Sequence, residues 1–358
     1  MKKYNLEIYN NDTCNMSNWQ ITHTVNTLTT VNNKFEILKK LNNYINMNIE
    51  EKDIFIIDKS YSFNTNYKTY FSSNAIFEEK QFLDIYKISN MGNIYTLGLN
   101  EDIVSINILI EVYRKFNSIV NKNLKNRLNK NLLIEAYNMI FTRGLDSAIN
   151  YLKVETINYL LEMLNKRKAI KANEKEKVVN EIKNFSANKI YEKYRKLKND
   201  DMMNKFMYFF TSCTRPIVGI YDRDTHQFGI INADQMYQNG EDSNSQIRLQ
   251  KITKNSPVYI AFIVVGVMAG VIKYLSYREH GVEENLDKNE IQNIPHDRKT
   301  ALENIIKNSD NSLIYKNSGN NYVDEEVLQL ALDTYSKLES VTDNKKVKID
   351  YSEKKEDK

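Results

Sequence analysis

Cysteine, proline, glycine and tryptophan are all scarce in this chain, with 2, 3, 10 and 1 among 358 residues. The two cysteines, Cys14 and Cys213, allow one bridge at most, which excludes a disulfide scaffold. So few prolines and glycines exclude collagen-like arrays and long Pro/Gly linkers, and they leave little backbone for cradling phosphate. Gly-x-Gly-x-x-Gly, Gly-Lys-Ser/Thr, Gly-x-Ser-x-Gly and Cys-x-x-Cys are all missing, so no cofactor is expected. The first residues, Met1 to Glu7, lack the apolar core of a secretory signal, and a reducing cytoplasm is expected for the bulk of the chain.

Asn, Lys, Ile and Tyr are plentiful instead, the mark of an AT-rich genome, which makes surface Lys and Asn weak evidence for any activity. Charge is unevenly divided. Residues 1–254 carry a net +8 and residues 279–358 a net −6. The basic stretches 122–130, 166–168 and 189–198 are diluted by Glu174, Glu176, Glu181 and Glu192 and come with no reader motif. They read as solvated helix faces, and nucleic acid is not an expected partner.

Periodicity predicts a predominantly helical α+β protein. Residues 1–100 read as a mixed α/β region, with β-like runs at 4–9, 53–58 and 93–99 and a helix over 33–45. Residues 101–212 form a helical region, with apolar positions three and four apart. Residues 213–254 read as a small β-meander: a strand at 217–221, an Asp-Arg-Asp-Thr turn, a strand at 226–231 and a third at 246–253. An apolar helix follows over 255–277, then an acidic helical tail over 278–340 and a disordered end over 341–358.

The apolar helix is the segment least like the rest. From Asn255 to Ile272 there are 18 residues without charge, and Pro257 to Ser276 makes 20. As a helix, 20 residues span about 30 Å, a bilayer core. Ser256 and Pro257 suit a helix start, while Lys273 and Tyr274 suit an exit at the headgroups. Phe262, Gly266, Gly270 and Tyr274 recur every four residues with Ala269 beside them, a small-residue face for a homo-oligomer in lipid. The competing reading is a buried element of a folded core, since 260–267 is β-branched enough for a strand and an all-apolar segment has no diagnostic period.

The order strand, Lys-Asn-Ser-Pro, apolar helix over Ile247–Ile272 resembles uncharacterised bacterial proteins of conflict or phage-defence gene neighbourhoods. That resemblance covers only these residues and implies a membrane-associated helix.

Candidate chemistry is sparse. Asp222, Asp224 and His226 would share one face of a continuous strand and could offer a metal two oxygens and a nitrogen. The same residues also make a hairpin turn, which is the preferred reading. Cys213 with His226 and Asp222 could be written as nucleophile, base and orienter, but a small core cysteine is the commoner case. His23, His280 and His296 are isolated.

These observations lead to a single-pass membrane protein, N-terminal region inside, with the bilayer and a second copy as partners and an unknown protein partner possible. It would act as a membrane effector or sensor without catalysis. The alternatives are a soluble intracellular scaffold or assembly protein with a buried apolar helix, and a hydrolase or metal enzyme using 222–226.

Overall fold

The structure is a computed structural model that describes residues 3–10, 16–62, 85–166, 172–231, 248–253, 259–264, 270–271, 274–275, 297–308, 323–342 and 345–352. Within these the protein is a predominantly helical α+β fold with two antiparallel four-stranded sheets.

Helix α1 (Asn18–Asn46) begins at Ser17, whose Oγ accepts from Gln20 N while Gln20 Oε1 accepts from Ser17 N, a reciprocal capping box. Every residue from Val31 to Leu38 is buried, so α1 is enclosed on all sides at its centre. Strand β1 (Lys3–Asn10) precedes it. After a single 3₁₀ turn comes β2 (Ile54–Ser60), whose first four residues are all buried, as in a strand covered on both faces.

Helix α2 (Ile85–Met91) leads to β3 (Ile94–Thr96) and then α3 (Glu101–Leu124), where the Asn100 side chain caps the N–H groups of Asp102 and Ile103. From α3, Asn107 closes a ring with β3: its Oδ1 accepts from Ile94 N at 3.0 Å and its Nδ2 donates to Ile94 O at 2.7 Å. A side chain thus occupies backbone groups that a further strand would otherwise pair with. Helices α4 (Lys130–Arg143) and α5 (Leu145–Lys166) form a hairpin around Gly144, followed by α6 (Ala172–Lys183), α7 (Asn188–Arg195) and α8 (Asn199–Ser212).

Helix α8 packs on β2 and β3 and runs into β4 (Pro216–Asp222), which turns back as β5 (Gln227–Ile230). The order of this sheet is β3-β2-β4-β5. At its centre, a Cβ on Gly219 would lie 2.2 Å from Gly229 O and 2.5 Å from Phe55 Cζ, so only glycine fits there.

The second sheet overturns the membrane reading. Strands β6 (Arg248–Thr253) and β7 (Tyr259–Val264) are joined by β8 (Lys345–Ser352) in the order β6-β7-β1-β8. The front of the apolar run is therefore a strand: Phe262 faces Leu6 on β1 and Leu249 on β6 in the register, and Ile260 faces Ile8 and Ile252. Backbone groups that a spanning helix would satisfy internally are bonded to neighbouring strands. Tyr-Ile-Ala-Phe-Ile-Val is rich in β-branched and aromatic residues, which suit a pleated sheet better than a helix. Among the described residues, no helix is long and apolar enough to cross a membrane.

The expected oligomer face is likewise partly used within the chain. A Cβ on Gly270 would sit 3.3 Å from Ile305, and Tyr274 is buried with its ring 6.0 Å from that of Tyr335. Ser256, Pro257, Gly266, Ala269 and Lys273 lie outside the described residues. Residues 345–352, expected to be disordered, form β8 and pair along all of β1. Helices α9 (Arg298–Asn308) and α10 (Glu325–Thr342) of the acidic tail pack against α1, and α10 also meets α8.

Candidate functional site

The position of Lys34 is unusual for a lysine. It is 1% exposed, between Val31 and Leu38 on the enclosed part of α1, and its Nζ donates to Thr211 O at 2.8 Å. Lys337 reaches the same carbonyl oxygen from α10. Thr211 lies in the last turn of α8, where carbonyls lack helical partners and the helix dipole favours a cation. One lysine would meet that need. A second one, half-buried, sets a like charge beside the buried Lys34.

The consequence is electrostatic. Burial first, and then the neighbouring Lys337, lowers the pKa of Lys34 from 10.5 to about 7, with Cys213 acting weakly in the opposite sense. The Lys34 ammonium also lies 5.7 Å from the centroid of the Phe210 ring.

Both lysines line a cavity of about 640 Å³. Helix α1 contributes His23, Thr27 and Thr30 besides Lys34, and the link between α8 and β4 contributes Cys213 and Arg215. Arg215 is positioned by exchange with Tyr61: its Nε donates to Tyr61 O at 3.1 Å, and Tyr61 N donates to Arg215 O at 2.7 Å. Among the described residues that line this cavity there is no carboxylate. Three basic side chains, hydroxyls and a thiol are a donor set for an anion.

The 222–226 segment is arranged differently. Asp222 Oδ1 accepts from Asp224 N and Thr225 N, and its Oδ2 accepts from Thr225 Oγ1 at 2.7 Å. Burial opposes ionisation of this carboxyl, but those hydrogen bonds hold its pKa below the usual range. The carboxylate serves the turn, as expected of Asp at a turn start. His226 points elsewhere, with Nδ1 3.0 Å from Tyr221 Oη and its ring stacked 3.5 Å from that of Phe141. Its left-handed backbone, φ 53°, is held by a hydrogen bond from Tyr137 Oη to His226 O at 2.5 Å.

Tyr221 Oη also lies 3.4 Å from Asp102 Oδ2, and burial raises the pKa of both Tyr137 and Tyr221. The network locks the β4–β5 turn onto α3 and α4. Cys213 and His226 line separate cavities, so the structure does not bring that nucleophile and base together.

A third cluster, Glu51, Asp324 and Glu326, places carboxylate oxygens within 4.8 Å of one another. Asp324 caps α10 by accepting from Glu326 N and Val327 N. Burial raises the pKa of both Asp324 and Glu326; Glu51 adds to the rise at Asp324, against the hydrogen bonds that Asp324 accepts, and Asp324 adds to the rise at Glu326.

Sequence reasoning noted His23 and Cys213 singly and missed Lys34, Lys337 and Arg215. One local signal existed: Lys34 falls on the stripe of Val31, Phe35 and Leu38, where a charge is out of place. No family model matches the chain, and neither a curated protein nor a solved structure resembles it.

Proposed function

We propose that the protein is a binding protein for a small anion, held between α1, the α8–β4 link and α10. The observation that carries this reading is the convergence of Lys34 and Lys337 on one carbonyl, in a cavity whose described lining has no carboxylate. A buried lysine beside a like charge costs stability unless something else compensates it, and an anion supplies that compensation.

The reading replaces the membrane effector and is compatible with the scaffold class. Because Lys34 and Lys337 lie on different helices, an anion between them would tighten α1 against α10 and so couple ligand to assembly.

The test is isothermal titration calorimetry with inorganic phosphate and pyrophosphate. Saturable binding by the wild-type chain that weakens at least tenfold in Lys337→Met supports the proposal. Equal binding by both proteins, or none by the wild type at millimolar anion, overturns it.

A further inference from the structure

Trp19 is the only tryptophan in the chain and is 72% exposed. Its ring stands 5.2 Å from that of His23, 3° from parallel. His23 in turn lines the cavity that holds Lys34 and Lys337. The aromatic pair and the cationic pocket therefore belong to one surface.

Helix α1 explains the arrangement. Trp19, His23, Thr27, Thr30 and Lys34 follow one another at steps of four and three, so they lie along one face. From His23 to Lys34 the helix rises about 16 Å, at about 1.5 Å per residue. Side chains on a helix lean toward its N-terminus, which brings the Lys34 ammonium back toward the rings. Between the two ends, Asn26, Thr27 and Thr30 present amide and hydroxyl groups to the cavity.

We infer that the ligand is a nucleoside polyphosphate. Its base stacks on the Trp19–His23 shelf, its sugar lies along Asn26, Thr27 and Thr30, and its phosphates meet Lys34, Lys337 and Arg215. A purely inorganic anion has no use for the shelf. An exposed indole with one face against an imidazole offers its other face to a planar ring, and such stacking tolerates any base. This inference rests on the anion-binding reading above, and it names the ligand class for that site.

Because Trp19 is the only tryptophan, its fluorescence reports on the shelf alone. ATP is expected to quench that emission saturably and to bind more tightly than inorganic triphosphate. Trp19→Leu is expected to weaken ATP binding by about five- to 100-fold, the range for loss of one base stack. Inorganic triphosphate, which has no base, is expected to keep its affinity in that variant. Equal affinity for ATP and triphosphate, with no change in Trp19 emission, overturns the nucleotide inference and leaves the anion reading standing. Binding of neither overturns both.

Discussion

Lys34 and Lys337 donate to one and the same oxygen, the carbonyl of Thr211. The first arrives from the enclosed centre of α1, the second from α10 near the far end of the chain. A helix C-terminus attracts cations, but a single lysine would satisfy it; burial, and then the second lysine, make the first hard to ionise. A fold selected only for stability would place an apolar side chain at one of these positions.

The first prediction follows directly. Lys34→Met should raise the stability of the unliganded protein by about 1–4 kcal/mol, the range for replacing buried charge with apolar volume. Lys337 would continue to satisfy the Thr211 carbonyl. The same substitution should abolish binding of pyrophosphate. Thermal denaturation and calorimetry check the two halves, and a destabilised variant would make Lys34 a structural residue instead.

Lys34 also sets a pH dependence. Its pKa is about 7 in the folded chain and 10.5 for an ordinary lysine. Between those values the unfolded chain holds more protons, so stability rises with pH across that window. The destabilisation from Lys34 is full below about pH 7 and is relieved toward 10.5. Lys337, Arg215, His23 and Cys213 face the same cavity, and of these Lys337 lowers and Cys213 raises the Lys34 pKa. Anion affinity runs the other way and should fall as pH rises above 7, because the anion favours the charged amine. Calorimetry at pH 7.5 in buffers of different ionisation enthalpy should show proton uptake on binding.

The sheet of β6, β7, β1 and β8 makes a third prediction. Removing residues 345–352 would strip β1 of the partner it has along its whole length and leave an open edge. Leu6 and Ile8, both 1% exposed, should then lose amide-exchange protection, and the truncated chain should aggregate. In the intact protein the amides of 259–264 should exchange together with those of β1. Protection of 259–264 that survives the unfolding of β1 would contradict the strand assignment.

Gly219→Ala is the fourth. The added methyl would meet Gly229 O and the Phe55 ring, neither of which can withdraw without disturbing β2 or β5. The expected loss is about 2–3 kcal/mol, typical of overpacking, read from denaturant midpoints.

Much of the fold is legible in the residues. The helices of 101–212 follow from three- and four-residue spacing, and the β4–β5 hairpin follows from two apolar runs around Asp-Arg-Asp-Thr. Two features are not legible. The run at 257–272 has no polar residues to reveal a period, so length and composition favour a helix while its pairing with β1 and β6 makes it begin as a strand. The first half of α1 is rich in Thr and Asn, poor helix formers, yet Thr22, Thr24 and Thr29 bond back to carbonyls four residues earlier and the helix persists. The candidate site is less legible still, because Thr211 is 177 residues from Lys34 and 126 from Lys337. Only the lysine on an apolar stripe points to it.

The most direct measurement is the titration of the Lys34 side chain by heteronuclear NMR on lysine-labelled protein, assigned with Lys34→Met, with and without pyrophosphate. The account predicts a midpoint near 7 for the unliganded chain and a clear upward shift when the anion is bound. A midpoint near 10.5 in the unliganded chain, or one near 7 that pyrophosphate leaves unmoved, would contradict it.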